Sequence, residues 1–286
     1  MKILLVNKYL YRKGGAETYF IKLGEYLKSL GNEVEYFGMA DERNCVGNRV
    51  EAYTENIDFH KKSLKHITYP FKIIYSVNAR KQIRKVLSDF KPDVVHLNNF
   101  NYQLTPSIIY EIKKHNIPIV YTAHDVQLVC PNHKLKNDYT DGLCRKCDGG
   151  KYFECVKNNC VHSSKIRSIL GAVEAWYYKL RHTYKMIDLT VCPSEFMEKE
   201  ISRNDDINGR TVTMYNFIDE IKPLGAECEN YVLYFGRYSE EKGISNLVKA
   251  AKKLSNIPFV FAGKGELENE VNSADNIKNV GFKTGD

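Results

Sequence analysis

The chain has 286 residues, 43% of them apolar, which is enough for the cores of two domains of ordinary size. A formal net charge of +7 is basic but moderate, and suits phosphate-bearing ligands or an anionic surface. No apolar run approaches the ~18–20 residues of a membrane span. No zinc finger of standard spacing, RNA-recognition signature or homeodomain-like helix points to nucleic acid as a partner.

The opening MKILLVNKY turns polar early, so it reads as a first strand, Ile3–Val6, and not as a signal peptide; the expected location is the cytoplasm. Gly14 and Gly15 follow, a pair that lets a ligand approach the backbone closely. A helix from about Thr18 to Leu30 is predicted, with Phe20, Leu23, Leu27 and Leu30 as its buried stripe. Glu17 falls in the first turn, where a carboxylate suits the helix dipole. Val34–Phe37 is the second strand, and residues 41–66 are polar and poorly patterned. Phe71–Leu87 reads as one basic amphipathic helix, either an ordinary surface helix or a peripheral membrane contact. After the strand Val94–Leu97 comes an Asn-rich loop. Asn98 and Tyr102 are its candidate ligand contacts, because groups at the carboxyl end of a parallel strand face the ligand edge of the sheet. Ile119–Thr122 is the next strand, with His124 just beyond it and Asp125 positioned to orient that His or to cap the loop.

Five of the eight cysteines then fall in one stretch, the insert at residues 130–160. Cys144-x-x-Cys147 can chelate an ion from one tight turn, and Cys155 and Cys160 supply a second pair. A cytoplasmic protein has little use for stable disulfides, so a structural zinc is the sharper reading and thiols or redox pairs the other. Cys130, His133 and His162 leave the ligand count open. A metal there would order a long insert with few core residues. Nothing implies a catalytic zinc.

Ser164–Lys185 reads as a long helix, Leu189–Cys192 as a strand, and Ser194 as the N-cap of a further helix. Thr211–Met214 closes a first domain of residues 1–219, and the polar segment 220–229 is a linker. A second domain, 230–286, opens on Tyr231–Phe235, a run that suits a buried parallel strand. Gly243 then starts a helix with Ile244, Leu247, Val248, Ala251 and Leu254 on one face, and Phe259–Ala262 is the next strand. Arg237 and Lys242 lie in the loop between strand and helix, where helix dipole, backbone N–H groups and two cations all favour phosphate. Gly263-Lys264-Gly265-Glu266 makes a second glycine-rich turn at a strand's carboxyl end, so Gly265 and Glu266 join Gly14, Gly15, Arg237 and Lys242 as candidate phosphate contacts. Neither a GxxxxGK[ST] phosphate loop nor a GxGxxG dinucleotide fingerprint is present, which disfavours an ATPase or a Rossmann oxidoreductase.

The motifs GGAE (Gly14–Glu17), YTAHD (Tyr121–Asp125), CPSEF (Cys192–Phe196), YNFID (Tyr215–Asp219), FGRYSEEKG (Phe235–Gly243) and GKGE (Gly263–Glu266) occur in an order and spacing that resembles the family 4 glycosyltransferases. The resemblance implies the GT-B fold, two Rossmann-like doubly wound α/β domains. It further implies a retaining hexosyltransferase that moves a sugar from a nucleotide-sugar donor to a polysaccharide or lipid-linked acceptor in cell-envelope biosynthesis, with no metal cofactor for catalysis. In its terms the Gly14–Gly15 loop faces donor phosphates and acceptor across an interdomain cleft, His124 contacts the hydroxyls of the donor sugar, and Asn98 and Tyr102 fall on the acceptor side. Arg237 and Lys242 fit the departing diphosphate. The family's second domain is normally longer and carries two glutamates spaced eight apart, so the expectation is a second domain that is incomplete. A remnant that binds an acceptor or partner without turnover is the alternative.

Overall fold

The computed structural model describes residues 1–56, 69–137, 142–218 and 229–283. It divides into two compact units, Met1–Ile218 and Asp219–Asp286. The expected linker 220–229 lies, apart from Glu229, outside the described residues, as does part of the polar stretch 41–66.

The first unit is a six-stranded parallel sheet of β1 (Lys2–Val6), β2 (Glu33–Phe37), β3 (Val94–Leu97), β4 (Ile119–Thr122), β5 (Leu189–Cys192) and β6 (Thr211–Thr213), in the order β2-β1-β3-β4-β5-β6. Its helices are α1 (Gly15–Ser29), α2 (Tyr69–Ile74), α3 (Val77–Phe90), α4 (Ser107–Lys114), α5 (Phe153–Lys157), α6 (Lys165–Leu180) and α7 (Glu195–Ile201). The period of two along β1 feeds two cores: Leu4 and Val6 pack into the large cluster with Ile83, Val95 and Ile108, while Ile3 and Leu5 join Phe20, Ile21 and Tyr36 on the other face. The order reverses between β1 and β3, the point at which a doubly wound sheet opens a crevice at the carboxyl ends of its strands.

Three helices depart from the periodicity reading, one of them the helix expected over Ser164–Lys185, which ends at Leu180 and is followed by a 3₁₀ turn at Thr183–Met186. In α1 the buried positions are Glu17, Phe20, Ile21 and Gly24, and Leu30 is exposed, because the helix stops at Ser29 and Leu30 only caps it. The basic stretch expected as one helix is split into α2 and α3, since buried Ser76 takes an N-cap conformation and its hydroxyl accepts the Ala79 N–H at 3.1 Å. Arg80 and Arg84 of α3 both reach Glu111 on α4, at 2.8 and 2.5 Å, so part of that basic face is tied to a protein carboxylate.

The second unit is a three-stranded parallel sheet, β7 (Val232–Phe235), β8 (Phe259–Ala262) and β9 (Ile277–Asn279), in that order, with α8 (Ile244–Lys253) and α9 (Glu268–Val271). Its core gathers Tyr238, Ile244, Val248, Ala251, Phe259, Phe261 and Val271. β7 is a strand as expected but not a buried one: it lies at the edge of this sheet, and Leu233 and Phe235 are 54% and 80% exposed.

Candidate active site

At the crevice of the first unit the ends of β1 and β3 are laced together. Asn98 N donates to Val6 O (2.8 Å) and Lys8 N to Asn99 O (2.7 Å), while Asn7 Oδ1 accepts the Asn99 N–H (3.0 Å). The paired strand ends bring three predicted residues into one neighbourhood: Asn98, Tyr102 and His124. Gly14 stands as the N-cap of α1 in extended backbone, and a Cβ on Gly15 would meet no protein atom within 4 Å.

His124 Nε2 lies 2.9 Å from Asn98 Oδ1, and the Tyr19 ring of α1 meets the imidazole edge-on at 5.4 Å. An amide oxygen can only accept, so Nε2 carries the proton and Nδ1 is left as an acceptor. Burial holds the His124 pKa down to about 4, against a small opposing pull from Asp125, so the ring is neutral at physiological pH. Such a ring orients hydroxyl groups by hydrogen bonding and supplies no fixed charge. Asn98 itself is fully buried, and its Nδ2 has no hydrogen-bond partner among the described residues. Its Oδ1 meets His124, which leaves Nδ2 as the group for the ligand contact expected from the sequence.

Of the two roles expected for it, Asp125 caps the loop and does not orient His124. Its Oδ1 accepts the Gln127 N–H at 2.9 Å, and its Oδ2 lies 3.2 Å from His133 Nδ1. Burial alone would raise the Asp125 carboxyl, but the His133 hydrogen bond and charge bring it below the ordinary value. His133 stacks on Tyr102 with centroids 5.8 Å apart, and Asn101 Nδ2 is 3.2 Å from its Nδ1. Lys8 completes the group: Nζ donates to Asn101 Oδ1 at 3.3 Å and sits 5.2 Å from the Tyr102 ring centre. Burial lowers the Lys8 pKa. Sequence reasoning missed Lys8, although it follows β1 as Asn98 follows β3 and so occupies the same ligand edge. Glu174 of α6 also acts on this group, and burial pushes its carboxyl up to about 7 against the pull of His133.

In the second unit Arg237 and Lys242 occupy the loop between β7 and α8, both exposed, with Arg237 Nη1 3.3 Å from Glu241 Oε1. Gly243 caps α8 in the left-handed region (φ 71°), which a β-carbon would strain. Gly265 has a structural reason of its own. A Cβ there would lie 2.2 Å from Tyr238 O, because the 263–265 turn packs directly on the backbone after β7. Glu266 beside it is exposed.

The cysteine insert closes on itself beside α6. Trp176 Nε1 donates to Gly150 O at 2.9 Å, and Arg145 binds the fully buried Glu200 of α7. Cys130, Cys144, Cys147, Cys155 and Cys160 all line one small cavity, with about 10 Å³ of room for the centre of a water-sized sphere. Burial pushes the Cys147 thiol up, and Cys130, Cys155, Cys160 and Cys144 add to that rise. Burial and Cys160 likewise push Cys155 up to about 12. Among the described residues, no three His, Cys, Asp or Glu side chains already stand in the arrangement of a metal site.

Two family models match in tandem: Glycosyltransferase Family 4 over residues 13–221, and Glycosyl transferases group 1 over residues 217–284. The chain belongs to the family 4 glycosyltransferases. A Klebsiella pneumoniae protein described as an uncharacterized 42.6 kDa protein in the cps region is 25% identical over 280 residues, 92% of this chain and 68% of that protein. Among solved structures, HepE of Anabaena in complex with UDP and glucose matches with a TM-score of 0.58 at 16% identity, over 99% of this chain and 70% of HepE. Sucrose-phosphate synthase from Thermosynechococcus elongatus matches with a TM-score of 0.61 at 14% identity, over 99% of this chain and 70% of that one. These neighbours bear out the GT-B fold. No helix among the described residues is long and apolar enough to cross a membrane.

Proposed function

We propose that this chain transfers a hexose from a nucleotide-sugar donor, of the UDP type bound by HepE, to a polysaccharide or lipid-linked acceptor during surface-polysaccharide assembly. The observation that carries the reading is the pair of exposed cations, Arg237 and Lys242, on the loop that joins the end of a parallel strand to a helix N-terminus.

Glycosyl transfer passes through an oxocarbenium-like transition state while negative charge builds on the departing diphosphate. Positive groups already in place for that charge are the largest help an enzyme can give, and each is worth about 2.7–4 kcal/mol of barrier. Arg237 and Lys242 take that role, with Gly265 and Glu266 of the same unit as further donor contacts. Neutral His124 orients hydroxyls of the donor sugar through Nδ1, held in its tautomer by Asn98. Tyr102 and His133, stacked beside Lys8, offer a ring surface and polar edges to the acceptor. Anomeric configuration is retained, and the diphosphate is neutralised by side chains without a divalent metal.

The test is calorimetric titration with UDP, ADP and GDP, followed by a UDP-release assay across a panel of UDP-sugars and NMR of the product's anomeric proton. We expect UDP to bind, Arg237→Ala to weaken it roughly 10- to 100-fold as a charge-assisted contact is lost, and one sugar to be transferred with retention. Binding of UDP without turnover of any sugar would favour acceptor or partner binding without catalysis. No binding of any nucleotide would refute the donor assignment.

A further inference from the structure

We propose that the insert at residues 130–160 is a zinc site. One Zn²⁺ is held tetrahedrally by four thiolates, Cys130, Cys144, Cys147 and one of the pair Cys155 and Cys160, at the cavity that all five cysteines line; no three of them already stand as a metal site among the described residues, so binding draws the side chains inward. The sequence placed the second pair at Cys155 and Cys160, with Cys130, His133 and His162 leaving the ligand count open. The fold brings Cys130, from the end of the β4 loop, to the same cavity as the Cys144-x-x-Cys147 turn.

Four features support the assignment. The chemistry of the lining matches a closed structural zinc site, which takes sulfur ligands at ~2.3 Å and no open position. The cavity is sized for a single small occupant, since about 10 Å³ is at the lower limit for one water, and zinc is smaller than water. The sulfurs also have outer partners. The Cys130 thiol, which donates to Asn132 Oδ1 at 2.9 Å, gives up that bond when it ionises, while Asn137 Nδ2 donates to Cys144 Sγ at 3.2 Å. Hydrogen bonds of this kind orient and stabilise ligating thiolates. Last, part of the charge is met locally: Zn²⁺ with four thiolates carries a net charge of −2, and Lys136 lines the same cavity, where Arg145 is already held by Glu200 and Asp148 by Arg203. On binding, four S–H bonds break, four Zn–S bonds form, and four protons pass to solvent. No oxidant or reductant is involved.

The insert explains what the ion is for. Among the described residues of 130–164 the regular structure is the five-residue helix α5 and one 3₁₀ turn, too little to order so long a segment by its own core. Fixing Cys130 also fixes the chain that leads to His133, which faces Asp125 at the ligand edge of the sheet. The zinc site does not depend on which sugar is transferred, nor on whether the chain turns over.

The full chain is purified under reducing conditions, stripped with a chelator and titrated with Zn²⁺ and with Co²⁺. We expect one zinc per chain to survive gel filtration, with native mass spectrometry showing the zinc mass less the displaced protons. Co²⁺ should give thiolate charge-transfer and tetrahedral d–d absorption. Alkylation of the loaded chain should modify exposed Cys45 and spare the four ligands, while chelation should open the 131–164 segment to limited proteolysis. Serine substitution at Cys144 or Cys147 should abolish binding, and Cys45→Ser should leave it intact. Asn137→Ala, which keeps all the sulfurs, should weaken affinity roughly 10-fold. A stripped wild-type chain that binds neither ion would overturn the proposal. So would rapid alkylation of all five insert thiols in zinc, or a disulfide among them in the reduced protein.

Discussion

Replacing Gly265 with alanine places a methyl carbon 2.2 Å from the Tyr238 carbonyl oxygen, 2.7 Å from its carbonyl carbon and 2.8 Å from its nitrogen. All three are backbone atoms, so no side chain can swing aside, and one of the two turns must retreat by most of an ångström. That retreat strains the hydrogen bonds that join them, Tyr238 N to Lys264 O at 3.0 Å and Leu267 N to Tyr238 O at 3.2 Å. Overpacking of this kind costs about 1–3 kcal/mol, and a weakened hydrogen bond adds roughly 1. The expected loss is therefore about 2–4 kcal/mol. Spread over a unit of roughly 70 residues, it lowers that unit's melting temperature by on the order of 10–25 °C. Lys264→Ala, at an exposed side chain, is the control and should stay within about 0.5 kcal/mol. Calorimetric melting with and without UDP separates the two meanings of this glycine. If Gly265 were needed mainly for a ligand to approach, the variant would melt normally and lose UDP affinity. That result would refute the packing argument.

Glu174→Gln should stabilise the chain at pH 8 and do little at pH 5. The carboxyl is raised from an ordinary value of 4.5 to about 7, so the folded state holds a proton that the unfolded state gives up. Stability is therefore lost as pH rises through that window, by about 3 kcal/mol at most, and urea melts of the two proteins at both pH values read the difference. Glu111 behaves in the opposite sense. Hydrogen bonds from Arg84 and Arg80 outweigh burial and hold its pKa at about 2, so its contribution is present above pH 4.5 and disappears as pH falls towards 2. Glu111→Gln, which leaves Arg80 only 18% exposed without its partner, should cost about 2–3 kcal/mol at pH 7, discounted because Arg84 is half exposed. Equal stability of wild type and Glu111→Gln at pH 7 would contradict it. Asn98→Leu removes the acceptor that fixes the His124 tautomer, and donor turnover should fall about 10-fold or more while UDP affinity holds. Loss of UDP affinity in step with turnover would mean that Asn98 only supports the fold.

The sequence determined whatever depends on near neighbours along the chain. The strands Val94–Leu97, Ile119–Thr122, Leu189–Cys192 and Phe259–Ala262 and the caps at Ser194 and Gly243 follow from short apolar runs bounded by residues with narrow backbone preferences. The family motifs, and with them the GT-B fold, are legible for the same reason. Tertiary structure decided where partners come from distant segments. Arg80 and Arg84 look like a basic helix face until Glu111 arrives from α4, and Asp125 looks like the partner of His124 until the insert brings His133 to it and β3 brings Asn98 to His124. Lys8 was legible only as a residue just past β1; its partners Asn101 and Tyr102 meet it once β1 and β3 lie side by side. Local propensity is read along the chain, but hydrogen bonds and charge pairs form through space, and only the folded sheet says which of them meet.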